Sequence, residues 1–433
     1  MGVRALSSRQ DQLHSHQFLL QRVVAALVLR DPDPGHSAFP RAAGATLASV
    51  LVAAIALGAV ALYGTLVGPG TPRWGDGPAV LVEQETGARF VYRDGTLHPV
   101  PNQVSALLIL GPGVETVLVS RESIDGLPRG VPLGIESAPD AVPDPRRLAT
   151  GPWTVCSTPD GPAVLVGTAA DGGVPLAERG LLVRAGRDLH LVWHQRSYLL
   201  RDRELVLSAL GWTAERPTTV APALLAALTE GPDLARIPIA GAGVDAPAVP
   251  GAEVGEVFVI ESQDGGRQYA VALADGLAPI TQLQADLLLT DLDQHEPVEL
   301  SQGEYADLPR AAAPDPAGLP PTTPPLATPK AGTATAVCAA VPDATGSAEV
   351  RVGAAVPRTG IVVPSGGGAL VEAADKVYLV TDRGRRHAMS DREVPALLGY
   401  GDVRPLRLPP AVVDLVPEGV RLDPAIARAP LTN

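Results

Sequence analysis

The stretch AAGATLASVLVAAIALGAVALYGTLV, residues 42–67, contains no charged side chain, and the first charge after Arg41 is Arg73. A helix over these residues, rising about 1.5 Å per residue, reaches roughly 39 Å, more than the ~30 Å of a bilayer's hydrocarbon core. Core helices of soluble proteins rarely run so far without a charge. A cleavable signal peptide fits poorly, because Met1–Arg41 is too long for an n-region and the apolar run exceeds an h-region. The expectation is one uncleaved membrane-spanning helix over 42–67. Arg22, Arg30 and Arg41 precede it and only Arg73 closely follows. That bias places residues 1–41 on the cytoplasmic side and the domain 68–433 outside, at the cell (inner) membrane.

Charge divides at the same line. The first 41 residues carry a net +2, and the remainder has 29 basic against 44 acidic side chains. An acidic exterior repels phosphate backbones, which excludes nucleic acid as a partner. About 365 residues beyond the span exceed what one core holds, so several small aliphatic domains are expected. Cys156 and Cys338 both fall in the outer part, where an oxidising setting lets a disulfide persist; two unpaired buried thiols are the alternative. Such a bond would close a 182-residue loop, worth at most roughly 5 kcal/mol in the chain-entropy model. It would act as a clasp between distant parts of the chain.

Ahead of the span, Gln10–Leu29 reads as a helix, with Leu13, Leu20, Val23, Val24 and Leu27 on one face. Ser7 or Ser8 would cap its start, and Asp31-Pro-Asp-Pro34 would end it. With so few basic residues, this face is expected to contact a protein partner rather than lipid alone.

Beyond the span one grammar recurs: aliphatic runs separated by Gly/Asp turns, then a short helical segment closed by Gly. It predicts four hairpin-plus-helix repeats, at about 78–111, 180–212, 255–292 and 375–402. In the fourth, Ser390 and Glu393 suggest a capping box. The β-rich stretches Val114–Val119, Gly151–Cys156, Ala163–Thr168, Ala348–Val352 and Ala369–Ala373 are assigned to a central β domain made from about 113–170 and 331–374. Pro309 through Pro329 mark 308–330 as a polyproline-type linker or disordered loop. The fold class is thus α+β: a transmembrane helix followed by four repeats around a β-rich centre.

Catalytic and cofactor motifs are missing from the sequence. No Gly precedes Lys, so there is no phosphate-binding loop. Gly241-Ala-Gly243 leads into Pro247 and Pro250 where a dinucleotide fold needs a helix. No Gly-x-Ser-x-Gly elbow occurs. His190 and His194, read on one strand, stand some 13 Å apart, too far to share a metal. His14 and His16 point to different sides of a helix. No catalytic residue, cofactor or metal ligand is assigned. A binding or structural role is expected, with an extracytoplasmic ATP hydrolase and a cell-wall-binding anchor as the alternatives.

The opening Ser8-Arg-Gln-Asp-Gln-Leu-His-Ser-His-Gln-Phe-Leu19, the Asp31-Pro-Asp-Pro34 stop and the single span resemble EccB. EccB is the single-span membrane subunit of the actinobacterial type VII (ESX) secretion system. Tyr378-Leu-Val-Thr-Asp-Arg-Gly384, Leu398-Gly-Tyr400 and Leu415-Val-Pro-Glu-Gly419 extend the likeness over essentially the whole chain. The resemblance implies a structural core component of a protein-export complex with EccC, EccD and EccE. It also implies an elongated extracytoplasmic body that self-associates, and a cytoplasmic helix that touches the other subunits. ATP hydrolysis has been proposed for some relatives. Gln10 and Gln17 stand where the family often has Arg, which weakens charged contacts there.

Overall fold

Two antiparallel apolar strands leave one face bare, and outside the N-terminal helices this chain covers such faces with short helices and with neighbouring sheets. The computed structural model describes residues 9–29, 39–66, 78–262, 265–314, 318–327 and 336–431. The expected caps at Ser7 or Ser8 and the Asp31–Pro34 stop lie outside these residues. Contacts divide the chain into two units, 1–77 and 78–433.

The first unit holds α1 (Arg9–Leu29) and α2 (Phe39–Leu66). Within α2, Gly44–Leu62 is the one stretch among the described residues long and apolar enough to cross a membrane, with a mean hydropathy of 2.4 and no part buried.

The second unit opens with a meander of β1 (Ala79–Glu83), β2 (Arg89–Arg93) and β3 (Thr96–Val100). Then come α3 (Gln103–Leu110) and β4 (Thr116–Val119), which returns parallel to β1. After α4 (Arg121–Ile124) an extended segment sets Arg129 beside Leu97 of β3. β5 (Trp153–Thr158), β6 (Gly161–Leu165) and β7 (Asp171–Pro175) belong to another sheet.

The pattern then recurs with β8 (Leu181–Ala185), β9 (Asp188–Trp193), β10 (Arg196–Leu199), α5 (Arg203–Ala209) and β11 (Thr218–Val220), parallel to β8. A 3-10 turn, Pro222–Ala227, leads to β12 (Thr229–Glu230) beside β10. It recurs again with β13 (Val257–Glu261), β14 (Arg267–Leu273), β15 (Gly276–Ile280), α6 (Gln282–Asp291), β16 (Val298–Leu300) and α7 (Gln302–Asp307). The strands β17 (Val337–Val341), β18 (Glu349–Ala355) and β19 (Gly360–Val362) follow. Last come β20 (Gly368–Ala373), β21 (Lys376–Thr381), β22 (Arg386–Ala388), α8 (Val394–Leu397), β23 (Leu406–Arg407), α9 (Pro410–Val413) and α10 (Pro424–Ala427).

Four small sheets therefore share one connectivity, in which the strand after the helix pairs in parallel with the first strand. A parallel partner requires a crossover, and the helix supplies it. The fifth sheet has the order β19-β6-β5-β17-β18-β7.

Shared cores set the arrangement of the sheets. One core joins the central sheet to the second and fourth small sheets through Trp153, Val183, Val337 and Val371. Another joins the first to the fourth through Val80, Leu108, Leu379 and Leu398. A third joins the second to the third through Leu191, Val206, Leu283 and Leu288. The small sheets thus pair, first with fourth and second with third, and the second and fourth meet the centre in one core. α3 packs on α8 and α10, and α5 packs on α6. Each fully buried leucine in these cores contributes about 2 kcal/mol of transfer free energy.

Several expectations need correction. Thr116–Val119 and Gly368–Ala373 pair inside the first and fourth small sheets, not in the centre, because their hydrogen-bonding edges meet β1 and β21. The centre consists instead of residues 153–175 and 337–362. The expected 78–111, 180–212, 255–292 and 375–402 each cover only part of the recurring unit; the fourth unit begins at β20. The Ser390/Glu393 capping box does not form; the Asp391 carboxylate accepts from the Glu393 and Val394 amides at 2.9 and 3.2 Å. The described part of 308–330 is tied down as a strap. Leu319 is buried in the second–third core, the Gln282 amide donates to the Pro321 carbonyl at 3.0 Å, and the Gly180 amide to Pro325 at 2.9 Å.

Candidate interaction surfaces

Leu13, Leu20, Val23, Val24 and Leu27 on α1 are 42–75% exposed. Exposed leucines singly need no explanation, but five along one helical face make a surface that water covers at a cost. Phe18, 63% exposed, stands about 140° around the helix from Leu13, so apolar contact area is not limited to that face.

Cys156 and Cys338 are joined in a disulfide. They sit opposite each other in the β5–β17 ladder, 0% and 1% exposed. The bond therefore crosses the middle of the central sheet.

Each small sheet also carries a feature that the strand-by-strand reading missed. After the second short helix, the chain returns to pair along the third strand, by a single residue pair in the first, third and fourth sheets and by the two residues of β12 in the second. The Leu97 amide donates to the Pro128 carbonyl and the Leu97 carbonyl accepts from the Gly130 amide; Leu277 does the same with Pro309 and Ala311, and Arg386 with Pro417 and Gly419. In the second sheet the Gly231 amide donates to Ser197. The next residue of each third strand is His98, Tyr198, Ala278 or His387. A Cβ on Gly130, Gly231 or Gly419 would overlap the His98, Tyr198 or His387 ring. Where the strand offers only Ala278, the chain affords Ala311. The signal was present in the sequence as Leu127-Pro-Arg-Gly130, Leu228-Thr-Glu-Gly231, Leu308-Pro-Arg-Ala311 and Val416-Pro-Glu-Gly419.

The histidines serve this packing. His98 and His387 bond through Nδ1 to the Val131 and Val420 carbonyls at 3.0 and 2.9 Å. Burial pushes the His387 imidazole below its ordinary value, opposed by the Val420 bond. His190 lies on β9, but His194 falls in the β9–β10 turn at φ 44°, not on the strand as expected. There it stacks on Trp193 at 3.8 Å and bonds Glu178 at 2.8 Å.

Ser197 Oγ lies 3.1 Å from His190 Nδ1, the spacing of a nucleophile and base. Burial pushes His190 down, against the fields of Asp188, Asp233 and Glu230. No carboxylate bonds the far ring nitrogen among the described residues, so the pair lacks the orienting third group of a triad.

Two open clefts are lined by ion pairs. One, about 800 Å³, lies where the second and fourth small sheets meet the centre. Its Glu372 receives Arg392 and Arg407 at 3.2 and 3.1 Å. The other, about 850 Å³, lies between the first and fourth, with Arg383 on Asp140 at 2.6 Å. No group of three His, Cys, Asp or Glu side chains that could hold a metal occurs among the described residues.

These features define a class: a chain with one membrane-length helix carrying a multi-sheet β-rich body whose polar groups serve packing and contact. The chain belongs to the type VII secretion system ESX-1, transport TM domain B (EccB) family, whose model matches residues 5–431. It is 32% identical over 307 residues to the ESX-5 secretion system ATPase EccB5 of Mycobacterium marinum (strain ATCC BAA-535 / M), covering 65% of this chain and 59% of that protein. It is 29% identical over 329 residues to the ESX-3 secretion system ATPase EccB3 of Mycolicibacterium smegmatis, covering 71% and 62%. The chain thus spans less than two thirds of the length of these relatives. A chain in the structure of an intact ESX-5 inner membrane complex matches with a TM-score of 0.68 at 25% identity, covering 100% of this chain and 97% of that one. The EccB3 dimer from the ESX-3 core complex matches at 0.65 and 26%, covering 81% and 100%.

Proposed function

We propose that this chain is a non-enzymatic structural subunit that anchors and organises an ESX inner-membrane secretion complex. The carrying observation is the fold match over the whole chain to a member of the ESX-5 inner membrane complex, together with family membership over residues 5–431. On this reading α2 crosses the bilayer with the N-terminus cytoplasmic, as the arginine bias supports. The exposed α1 face, Leu13, Leu20, Val23, Val24 and Leu27, contacts the other membrane subunits, EccC, EccD and EccE. The outer unit, divided into four repeats and a centre, self-associates; the EccB3 dimer is the precedent among similar structures.

The description of these relatives as ATPases favours a second reading in which the outer unit hydrolyses ATP. The lack of any Gly-Lys pair weighs against a P-loop mechanism.

Affinity purification of the full chain from its membrane tests the first reading: the other subunits co-purify with the wild type and are lost with Val24→Asp, while the outer unit keeps its disulfide. Recovery of the unaccompanied wild-type chain from cells that express those subunits overturns it. ATP turnover by the purified full chain above a catalytically inert control would establish the second reading. Protease added to intact spheroplasts should digest the C-terminal bulk and spare α1; the opposite pattern reverses the orientation.

A further inference from the structure

The strap that runs from the third small sheet to the second carries the sequence Gly318-Leu-Pro-Pro-Thr-Thr-Pro-Pro-Leu-Ala327. Prolines on both sides of the two threonines remove four amide donors, so the segment can build neither a helix nor a ladder and stays extended. Its apolar members hold it down: Leu319, Pro320 and Pro324 are buried. The Gln282 and Gly180 amides donate to the Pro321 and Pro325 carbonyls, one bond on either side of the threonine pair.

The two threonines sit differently in this strap. Thr323 is half-buried, and its hydroxyl donates to the Asp286 carboxylate at 3.2 Å. Thr322 is exposed, and its hydroxyl makes no hydrogen bond among the described residues. Thr322 also lines an open cleft of about 610 Å³, together with Gln268, Tyr269, Gln282 and Tyr305. Neither glutamine side chain is hydrogen-bonded among the described residues. Tyrosine faces and free amides are groups that a sugar can use: a hexose sets its C–H bonds on an aromatic ring and exchanges hydrogen bonds between its hydroxyls and an amide.

We propose that Thr322 is an O-glycosylation site, bearing a hexose on Oγ1 beside this cleft. The inference rests on the proposed orientation, which puts residues 78–433 outside the cytoplasm. Threonine set among prolines in such a compartment is the composition of O-glycosylated stalks. Because the strap is extended and Thr322 faces water, the hydroxyl reaches a glycosyltransferase without local unfolding. The donor is a lipid-phosphate-linked hexose. Its bond from C1 to the phosphate oxygen breaks, a bond from C1 to Thr322 Oγ1 forms, the hydroxyl proton passes to a base of the transferase, and the lipid phosphate leaves with the electron pair. Thr323 is passed over, since its hydroxyl is engaged with Asp286.

Mass spectrometry of the full chain purified from its own membrane tests this. Trypsin cuts after Arg310 and Lys330, and Thr322, Thr323 and Thr328 are the only hydroxyl side chains in the peptide between them. That peptide should be heavier by at least one hexose, with fragmentation placing the sugar on Thr322. Thr322→Val, close in shape but without the acceptor oxygen, should abolish the mass shift, and Thr323→Val should leave it. An unmodified peptide, or a sugar on Thr323 or Thr328 alone, overturns the site. Protease added to intact spheroplasts distinguishes this failure from that of the orientation: a bare Thr322 on a chain whose C-terminal bulk is digested refutes the modification alone, and a spared bulk refutes both.

Discussion

Replacing Asn102 separates two bonds that one buried side chain makes. Asn102 is 2% exposed; its Oδ1 accepts from the Ser105 amide at 2.9 Å, capping α3, and its Nδ2 donates to the Ile135 carbonyl at 2.9 Å. Asn102→Ala removes both. The cap is worth about 1 kcal/mol. The bond to Ile135 is worth about 1 kcal/mol more, not a full desolvation penalty, because the Ala138 amide also reaches that carbonyl at 3.3 Å. The sum, about 2 kcal/mol, corresponds to a roughly 30-fold rise in local opening. Asn102→Ser keeps a capping oxygen but cannot span to Ile135, so it should lose about half as much. Hydrogen exchange of α3 and residues 133–138 in the full chain measures this locally, which is needed because a multi-sheet chain has no single unfolding free energy. Equal effects of Ala and Ser, or changes under twofold in both, would refute the two-bond account.

Gly419→Ala drives a Cβ into the His387 ring and should cost about 1–3 kcal/mol, read as a lowered urea midpoint; the same change at Gly87, where nothing lies within 4 Å, should cost less and only through its φ of 74°. His190 and His387 are both held neutral by burial, so their folded pKa values lie below the unfolded one. The stability this confers is present above the ordinary His pKa of about 6.5 and is lost as pH falls through the folded values, because the unfolded chain binds protons first. Urea midpoints measured from pH 8 to 5 should fall, and His387→Gln should flatten part of that slope; a midpoint that rises on acidification contradicts it. Leu108→Ala, made in the first small sheet, should cost about 2–5 kcal/mol. It should also speed exchange in β21 of the fourth, since Leu108 and Leu379 share one core.

The sequence displayed what depends on neighbours in the chain. Residues 42–67 announce a span because length and lack of charge suffice. The hairpins are legible because alternation and Asp94-Gly95 or Asp275-Gly276 turns are local. Strand assignment to sheets was not legible. Thr116–Val119 and Ala369–Ala373 are good strands in any sheet, and only a parallel partner far away in sequence decides which one they join. The capping residue of α8 was misread for a related reason. Ser390 and Glu393 have the right spacing, but the helix starts at Val394, three residues later than the pattern assumed, and the Asp391 carboxylate takes the Glu393 and Val394 amides instead. The phrases Leu127–Gly130, Leu308–Ala311 and Val416–Gly419 were visible and their meaning was not, since each pairs by a single bridge rather than a ladder.

Why the small sheets pair follows from their size. A unit of about fifty residues buries too little apolar area to offset the conformational entropy of ordering it, at about 1–2 kcal/mol per residue for the backbone alone. A single helix covers one face of each sheet, and the helix's own outer side stays apolar: α3 buries Val104, Ala106, Leu108 and Ile109, which one side could not accommodate. Packing α3 against α8, and α5 against α6, buries those outer sides and makes two-sheet bodies. Two such bodies still need a common core, which the central sheet supplies on the Trp153 face. This sheet is built from residues 153–175 and 337–362, and Cys156 and Cys338 face each other in its middle ladder, β5–β17. A disulfide there restrains all four sheets with a single bond, whereas the same bond inside one small sheet would restrain only that sheet.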